Sequence, residues 1–175
     1  DLFKKVLTVN LTGYIIRNSD LALAVVNPPA AVPAARELVG EVTSKGVELD
    51  ISTRPVKGFV LLAGYSYNDT RYTKSNSSNS SVRSGDRLRY NPSHTANASL
   101  FYSFKGTSVL NGFYLGIGGF YAGDRLAGRN ATTTNPGYKL MALPDYLLAD
   151  LYAGYARGKY AMRLKLSNLL NKLSY

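Results

Sequence analysis

The feature that most constrains this 175-residue chain is an alternation of apolar and polar side chains that recurs in seven segments. Successive side chains of a β-strand point to opposite faces, so this period predicts strands with one apolar face. The repeat of about 3.6 residues that marks an amphipathic helix is almost absent. We therefore expect an all-β chain whose antiparallel strands lie at 4–17, 40–54, 58–70, 88–104, 109–123, 144–156 and 159–170.

The links between these segments alternate strictly between short and long. Tight turns lie at 54–58, 104–108 and 156–159, and long links lie at about 18–39, 69–91 and 122–144, the second of them with a low-complexity stretch at 75–84. A soluble sandwich has no reason to alternate in this way. Transmembrane barrels do, because their two rims face different compartments and carry short periplasmic turns and longer extracellular loops. The links therefore predict transmembrane β-barrel strands.

The two faces of the predicted strands agree with a barrel wall. One face should meet lipid, and its mid-strand positions are Leu49, Leu61, Leu100, Leu115, Leu151 and Leu164. The other should meet the lumen with Glu48, Asp50, Asn97, Arg163 and Lys165.

Aromatic residues adjoin the short turns at Phe59, Phe104, Phe113, Tyr155 and Tyr160, and others approach the long links at Tyr67 and Tyr121. Two such girdles are typical of a lipid belt, although aromatics also cap ordinary strand ends.

Composition excludes several other classes of protein. The chain has no cysteine and one histidine, so thiolate sites, disulfides and multi-histidine metal clusters are excluded. Its net charge of +10 is scattered over turns and loops without a dense run, which argues against a nucleic-acid partner. No apolar run reaches the roughly 18 residues of a membrane-spanning helix. These observations leave the β-barrel interpretation in place.

The sequence offers no catalytic constellation, and we expect no enzyme and no cofactor. A Gly-x-Ser-x-Gly elbow is missing, and the glycine-rich stretch at 116–119 lacks dinucleotide-binding spacing and lies inside a strand. These glycines should instead let the wall approach a packed neighbour closely. Glu48 and Asp50 share a strand face and are expected to pair with Arg163, Lys165 or a plug in the lumen rather than to perform acid–base chemistry.

Three motifs resemble the TonB-dependent siderophore receptors. Residues 43–50 followed by 62–67 resemble the family's recurrent hairpin, residues 89–96 its strand entry around Pro92 and His94, and residues 168–175 the ending of its penultimate strand. The resemblance spans most of the chain. It implies a single β-barrel segment over 1–175, the C-terminal part of a barrel of about 22 strands, without the family's N-terminal plug.

An open sheet edge within lipid would leave backbone groups without partners, and bacterial single-chain barrels have even strand numbers. Seven strands therefore cannot close alone. We expect strands before Asp1 and at least one after Tyr175, with TonB contacted through an N-terminal part that this sequence does not include. The localisation that the resemblance implies is the bacterial outer membrane.

Cations and tyrosines gather in the long links, where Arg71, Tyr72, Arg83, Arg87, Arg89, Tyr90, Arg125, Arg129, Tyr138 and Lys139 share one rim. The ligand implied by the resemblance is a ferric siderophore, which is transported rather than kept as a cofactor. Arginine forks and tyrosine faces suit bulky, often anionic chelates. The residues expected to hold it are Arg71, Tyr72, Arg89, Tyr90, Tyr121 and Arg125.

Other interpretations remain open at this point. The rim cations could equally be solvated or could face outer-membrane lipid and lipopolysaccharide, whose phosphates attract basic clusters. The chain could belong to a passive porin or a structural outer-membrane barrel, which would lack a plug. A soluble lipid-carrying barrel is a third possibility, and it would need no detergent.

Overall fold

The computed structural model describes residues 6–24, 29–32, 36–75, 83–106, 109–129 and 140–173. These residues form nine strands, which are β1 (Leu7–Ala24), β2 (Arg36–Thr53), β3 (Phe59–Lys74), β4 (His94–Ser103), β5 (Phe113–Gly123), β6 (Arg125–Arg129), β7 (Leu140–Leu143), β8 (Tyr146–Arg157) and β9 (Tyr160–Leu166). Among them no helix is long and apolar enough to cross a membrane.

Seven of the strands form one sheet in the order β1-β2-β3-β4-β5-β8-β9, and every neighbouring pair is antiparallel. This confirms the seven predicted strands and their meander. The sequence did not predict the small separate hairpin of β6 and β7, which lies within the third long link. The hairpin follows β5 and precedes β8 in the chain, so 125–129 and 140–143 lie at the long-link ends of those two strands.

The observed strand bounds differ most from the predicted ones at the hairpin of β1 and β2. The predicted long link at 18–39 is wrong, because β1 continues to Ala24 and β2 already begins at Arg36. Register shifts flank Asn18 to Ala22, and Asp20 has a φ of 59°. Such a bulge shifts which face each following side chain occupies, so the alternation is interrupted although the pairing continues. At the other end, β9 stops at Leu166 and the chain turns at Asn168, whose φ is 55°.

The register confirms the predicted division of the faces. Leu61, Leu100, Ile117, Leu151 and Leu166 are successive partners across five strands and therefore share one face. The other predicted lipid-facing leucines have the same parity on their strands. Glu48 pairs with Ser66, which pairs with Thr95, on the opposite face. We call the leucine face the outward face and the other the inward face.

The sheet has no apolar core of its own. Of the apolar side chains that the structure describes, only Leu23, Ala122 and Ala127 are buried, whereas the outward side chains Leu11, Ile15, Leu115 and Ile117 are exposed. Soluble domains rarely leave so continuous an apolar surface open to water. The outward face is therefore suited to a hydrocarbon environment.

Aromatic side chains occupy both ends of the outward face, as predicted. At the short-turn end, Phe59 lies 4.5 Å from Tyr102 and Phe113 lies 4.7 Å from Tyr155 between ring centroids. At the long-loop end, the hydroxyl of Tyr65 lies 2.8 Å from Nδ1 of His94. Stacked aromatic side chains, especially those with a polar group at one end, are favoured at the membrane interface.

Two inward positions of β5 are glycines covered by aromatic rings. A side chain at Gly116 would collide with the ring of Phe101, and a Cβ at Gly118 would lie 3.2 Å from the ring of Tyr152. The rings of Phe101 and Tyr152 are themselves 5.4 Å apart. The prediction that these glycines permit a close neighbour is thus confirmed, and the neighbour is a ring from an adjacent strand.

Charged residues on the inward face pair differently from the expectation. Lys165 forms an ion pair of 2.8 Å with Asp150 on the neighbouring strand β8. The predicted pairing of Glu48 and Asp50 with Arg163 or Lys165 is wrong, because β2 and β9 are separated by four strands of the sheet. Sequence alternation assigns the face of a charge but not its distance from another charge.

Candidate functional site

The predicted ligand site lies at the long-loop rim, where β3 and β5 end and β8 begins. Arg71 and Tyr72 hold the segment 83–88 against the end of β3. The amide of Tyr72 donates to the carbonyl of Asp86 at 2.9 Å, and the amide of Gly85 donates to the carbonyl of Tyr72 at 2.7 Å. Arg71 donates to the Gly85 carbonyl at 3.1 Å and pairs with Asp69 at 2.8 Å. These two residues therefore fix the first part of the rim.

Arg87 joins this segment to the start of the β6–β7 hairpin. Its guanidinium donates to Oδ1 of Asp124 at 2.8 Å, to the Asp124 carbonyl at 2.6 Å, and also to the hydroxyl of Ser93. These hydrogen bonds hold the pKa of Asp124 below its ordinary value. The Arg87–Asp124 contact is a clasp between the second and third long links, and neither residue was among the six predicted ligand contacts.

Asp145 extends the clasp to the strand that follows the hairpin. Its carboxylate accepts a hydrogen bond of 2.6 Å from the hydroxyl of Tyr121 and one of 2.9 Å from the amide of Asp124. The Tyr121 hydrogen bond, followed by that from Asp124, keeps the pKa of Asp145 low. The acidic partners at the rim were not predicted, because cations and aromatic side chains alone suggested a site for an anionic ligand.

Arg125 is the most enclosed of the predicted ligand residues, with 7% of its surface exposed. Its guanidinium lies over the ring of Tyr146 at 4.6 Å and donates to the carbonyl of Pro144 at 2.8 Å. The ring of Tyr146 lies 6.1 Å from that of Phe120, and both side chains belong to the inward face. A stacked cation beside two rings can bind a flat or anionic group through charge and stacking together.

Arg89 and Tyr90 lie between the segment 83–88 and the β6–β7 hairpin. The amide of Tyr90 donates to the carbonyl of Leu126 at 2.7 Å, and its φ of 60° turns the chain sharply at this point. The side chain of Tyr90 is 65% exposed, while Arg89 is half-buried. Tyr90 is thus held by its backbone and presents its ring to the surroundings.

The structure brings the six predicted residues to one rim but not to one face. Tyr121 and Arg71 have the parity of the outward leucines on β5 and β3, whereas Tyr72 has the inward parity. Tyr138, Lys139 and the side chain of Arg129, which belong to the wider predicted cluster, lie outside what the structure describes. Within the described residues, no group of three or more acidic, cysteine or histidine side chains could hold a metal ion.

Comparison with known proteins identifies the family. The family model described as "TonB dependent receptor-like, beta-barrel" matches residues 1–169. The Ferrioxamine B receptor of Salmonella typhimurium is 34% identical over 139 residues, which cover 77% of this chain and 18% of that protein. The Metal-pseudopaline receptor CntO of Pseudomonas aeruginosa is 26% identical over 144 residues, covering 82% of this chain and 19% of the relative. The chain thus spans about a fifth of the length of these curated relatives.

Solved structures show the same fold at lower sequence identity. The pyoverdine outer membrane receptor FpvA of Pseudomonas aeruginosa, solved bound to pyoverdine, matches with a TM-score of 0.70 and 21% identity over 95% of this chain and 23% of its own. The siderophore receptor PiuA of Acinetobacter baumannii matches with a TM-score of 0.62 and 21% identity, covering 95% and 22% of the two chains.

These comparisons set aside the passive porin and the soluble lipid carrier. They also agree with the expectation that the chain is not an enzyme, since the family consists of receptors and transporters. The chain belongs to the TonB-dependent receptor-like β-barrel family, whose members reside in the bacterial outer membrane.

Proposed function

We propose that this chain forms part of the barrel wall and extracellular loops of an outer-membrane receptor that imports a ferric siderophore. The observation that carries the proposal is the 34% identity to the Ferrioxamine B receptor, within a family match that covers residues 1–169. Energy for import would come through TonB, which acts on parts of the receptor beyond this chain.

The open edges of the sheet support a closed barrel in the whole receptor, for which the family resemblance implies about 22 strands. In the described residues, β1 and β9 each have one strand neighbour, so each presents an open edge. Open edges are too costly to persist in hydrocarbon. Further strands of the same receptor would pair with both edges, and the inward face would then line the lumen.

We further propose different roles for the six predicted ligand residues. Tyr72 has an inward position, and the guanidinium of Arg125 lies over the inward ring of Tyr146. Tyr90 presents an exposed ring between the two loops that the clasp joins. These three residues and Arg89 would contact the chelate. Arg71 and Tyr121 would act as positioning residues. They hold the Gly85 carbonyl and the Asp145 carboxylate, respectively, and so fix the loops that present the other four.

The experiment is uptake of radiolabelled iron as ferrioxamine B. The full-length receptor is expressed in a Gram-negative host that lacks its own hydroxamate receptors, with and without TonB. Uptake is expected only when both the receptor and TonB are present. Uptake that persists without TonB would indicate a passive pore, and absence of both uptake and binding for ferric siderophores would contradict the proposal.

A further inference from the structure

The outward face carries a group of cations at the long-loop end of β1, β2 and β3. Arg17 pairs across the sheet with Thr43, which pairs with Arg71, so the two arginines lie in one row. Lys45 lies in the next row towards the short-turn end, between Ile15 and Asp69. Lys74 belongs to the same group because a register shift at the long-loop end of the β2–β3 pairing places it opposite Glu41. We call Arg17, Lys45, Arg71 and Lys74 the outward basic patch.

Cations exceed carboxylates in this patch. Glu41 is 7% exposed and is shared by Lys74 at 3.0 Å and Arg17 at 3.7 Å, and it also accepts a hydrogen bond of 2.7 Å from Thr73. Arg71 is compensated by Asp69. The side chains of Arg17 and Lys74 are nevertheless 69% and 68% exposed, so one carboxylate leaves two accessible cations with excess positive charge.

The height of the patch matches a lipid headgroup region. Phe59 marks the short-turn aromatic end of β3, and Arg71 is an outward residue twelve positions further along the same strand. At about 3.4 Å per residue and a strand tilt of about 40°, the separation along the membrane normal is about 31 Å. The apolar band of such barrels is about 25 Å tall, so Arg71 and its row lie just above its upper boundary.

Apolar side chains continue directly below the cations. Ile15 lies in the row of Lys45 and Asp69. Val47 and Tyr67 lie in the next outward row towards the short-turn end, and Leu11 and Tyr65 lie in the row after that. All five are exposed. A soluble anion would use only the cations, whereas a molecule with phosphates above and acyl chains below would use both parts of this surface.

We propose that the outward basic patch binds a phosphorylated, acylated glycolipid of the outer leaflet, the lipid A part of lipopolysaccharide. Its phosphates would lie against Arg17 and Lys45, and its acyl chains would pack on Ile15, Val47 and Tyr67. The patch faces away from the inward side chains at the chelate site, which are Tyr72 and the Tyr146 ring beneath Arg125. The inference therefore does not depend on which siderophore the receptor imports.

The test measures binding of diphosphorylated lipid A to the delipidated full-length receptor in detergent by native mass spectrometry. Arg17→Gln and Lys45→Gln are each expected to weaken binding about fivefold, the factor that corresponds to about 1 kcal/mol per cation near an anionic lipid surface. The double variant should lose at least tenfold. Lys105→Gln, a matched change in an exposed short turn at the opposite end, should remain within twofold of the parent.

Further ligands show whether the patch recognises lipid A itself, any lipid or any soluble anion. Dephosphorylated lipid A and phosphatidylethanolamine should bind the parent at least tenfold more weakly than diphosphorylated lipid A. Ferrioxamine B affinity should remain within twofold in the double variant, which distinguishes this site from the chelate site. Lipid A binding by the double variant within twofold of the parent would overturn the proposal, as would equal competition by inorganic phosphate, which would indicate a site for soluble anions.

Discussion

Placing an arginine in the middle of the outward face should destabilise the receptor strongly, and Ile117→Arg tests this. Ile117 lies midway between Phe113 and Tyr121 on β5 and is exposed between Leu100 and Leu151. Each aromatic end is four residues away, or about 14 Å at about 3.4 Å per residue. The side chain is thus near the centre of the apolar band, where arginine costs about 2–4 kcal/mol.

The assay is reversible urea unfolding of the full-length receptor in lipid vesicles, compared with Asn97→Arg on the inward face of β4. A loss of about 3 kcal/mol is expected for Ile117→Arg, which reduces the folding equilibrium constant by roughly 140-fold. Asn97→Arg should cost less than about 1 kcal/mol because its side chain extends towards the lumen. Equal losses for the two variants would refute the assignment of the faces.

Three other variants or conditions test contacts described above. Gly116→Leu should destabilise the receptor by about 1–3 kcal/mol in the same unfolding assay because its side chain meets the Phe101 ring, and adding Phe101→Ala should recover part of the loss. Arg87→Gln should raise amide hydrogen exchange across 83–93 at least tenfold, since charged hydrogen bonds contribute about 1.5–3 kcal/mol. Unchanged exchange would show that the clasp does not hold the loop. The low pKa of Asp124 means that its contribution is present above its ordinary pKa of 3.8 and is lost only as pH falls below that value. Protection of the 83–93 amides in the parent, expressed relative to their intrinsic exchange rate at each pH, should therefore fall only in that acidic range.

Most of the sheet could be predicted from sequence because most strands keep an unbroken alternation between turn residues. Strand β5 illustrates this, since Phe113, Ile117 and Tyr121 mark its ends and its outward face without any tertiary information. The extension of β1 could not be predicted in this way. The bulge around Asp20 shifts the faces, and alternation alone does not distinguish a bulged strand from a loop.

The candidate site was less predictable because its contacts are distant in sequence. Arg87 and Asp124 are 37 positions apart and meet only when two loops fold over the same rim. The outward position of Arg71 was available from the sequence, however. Arg71 is an even number of residues from Leu61 in one continuous strand, so the two must share a face. On β3, parity alone therefore separates the outward Arg71 from the inward Tyr72.

The most direct test of the proposed function is the affinity of the purified full-length receptor for ferric ferrioxamine B, measured by titration for the parent and for Arg89→Ala, Tyr90→Ala and Arg125→Ala. Loss of a hydrogen bond from a charged group costs about 1.5–3 kcal/mol, so each arginine variant should bind at least tenfold more weakly. Lys105→Gln serves as the control and should bind like the parent. If all three alanine variants bind within threefold of the parent, the rim does not capture the chelate and the account of this site is wrong.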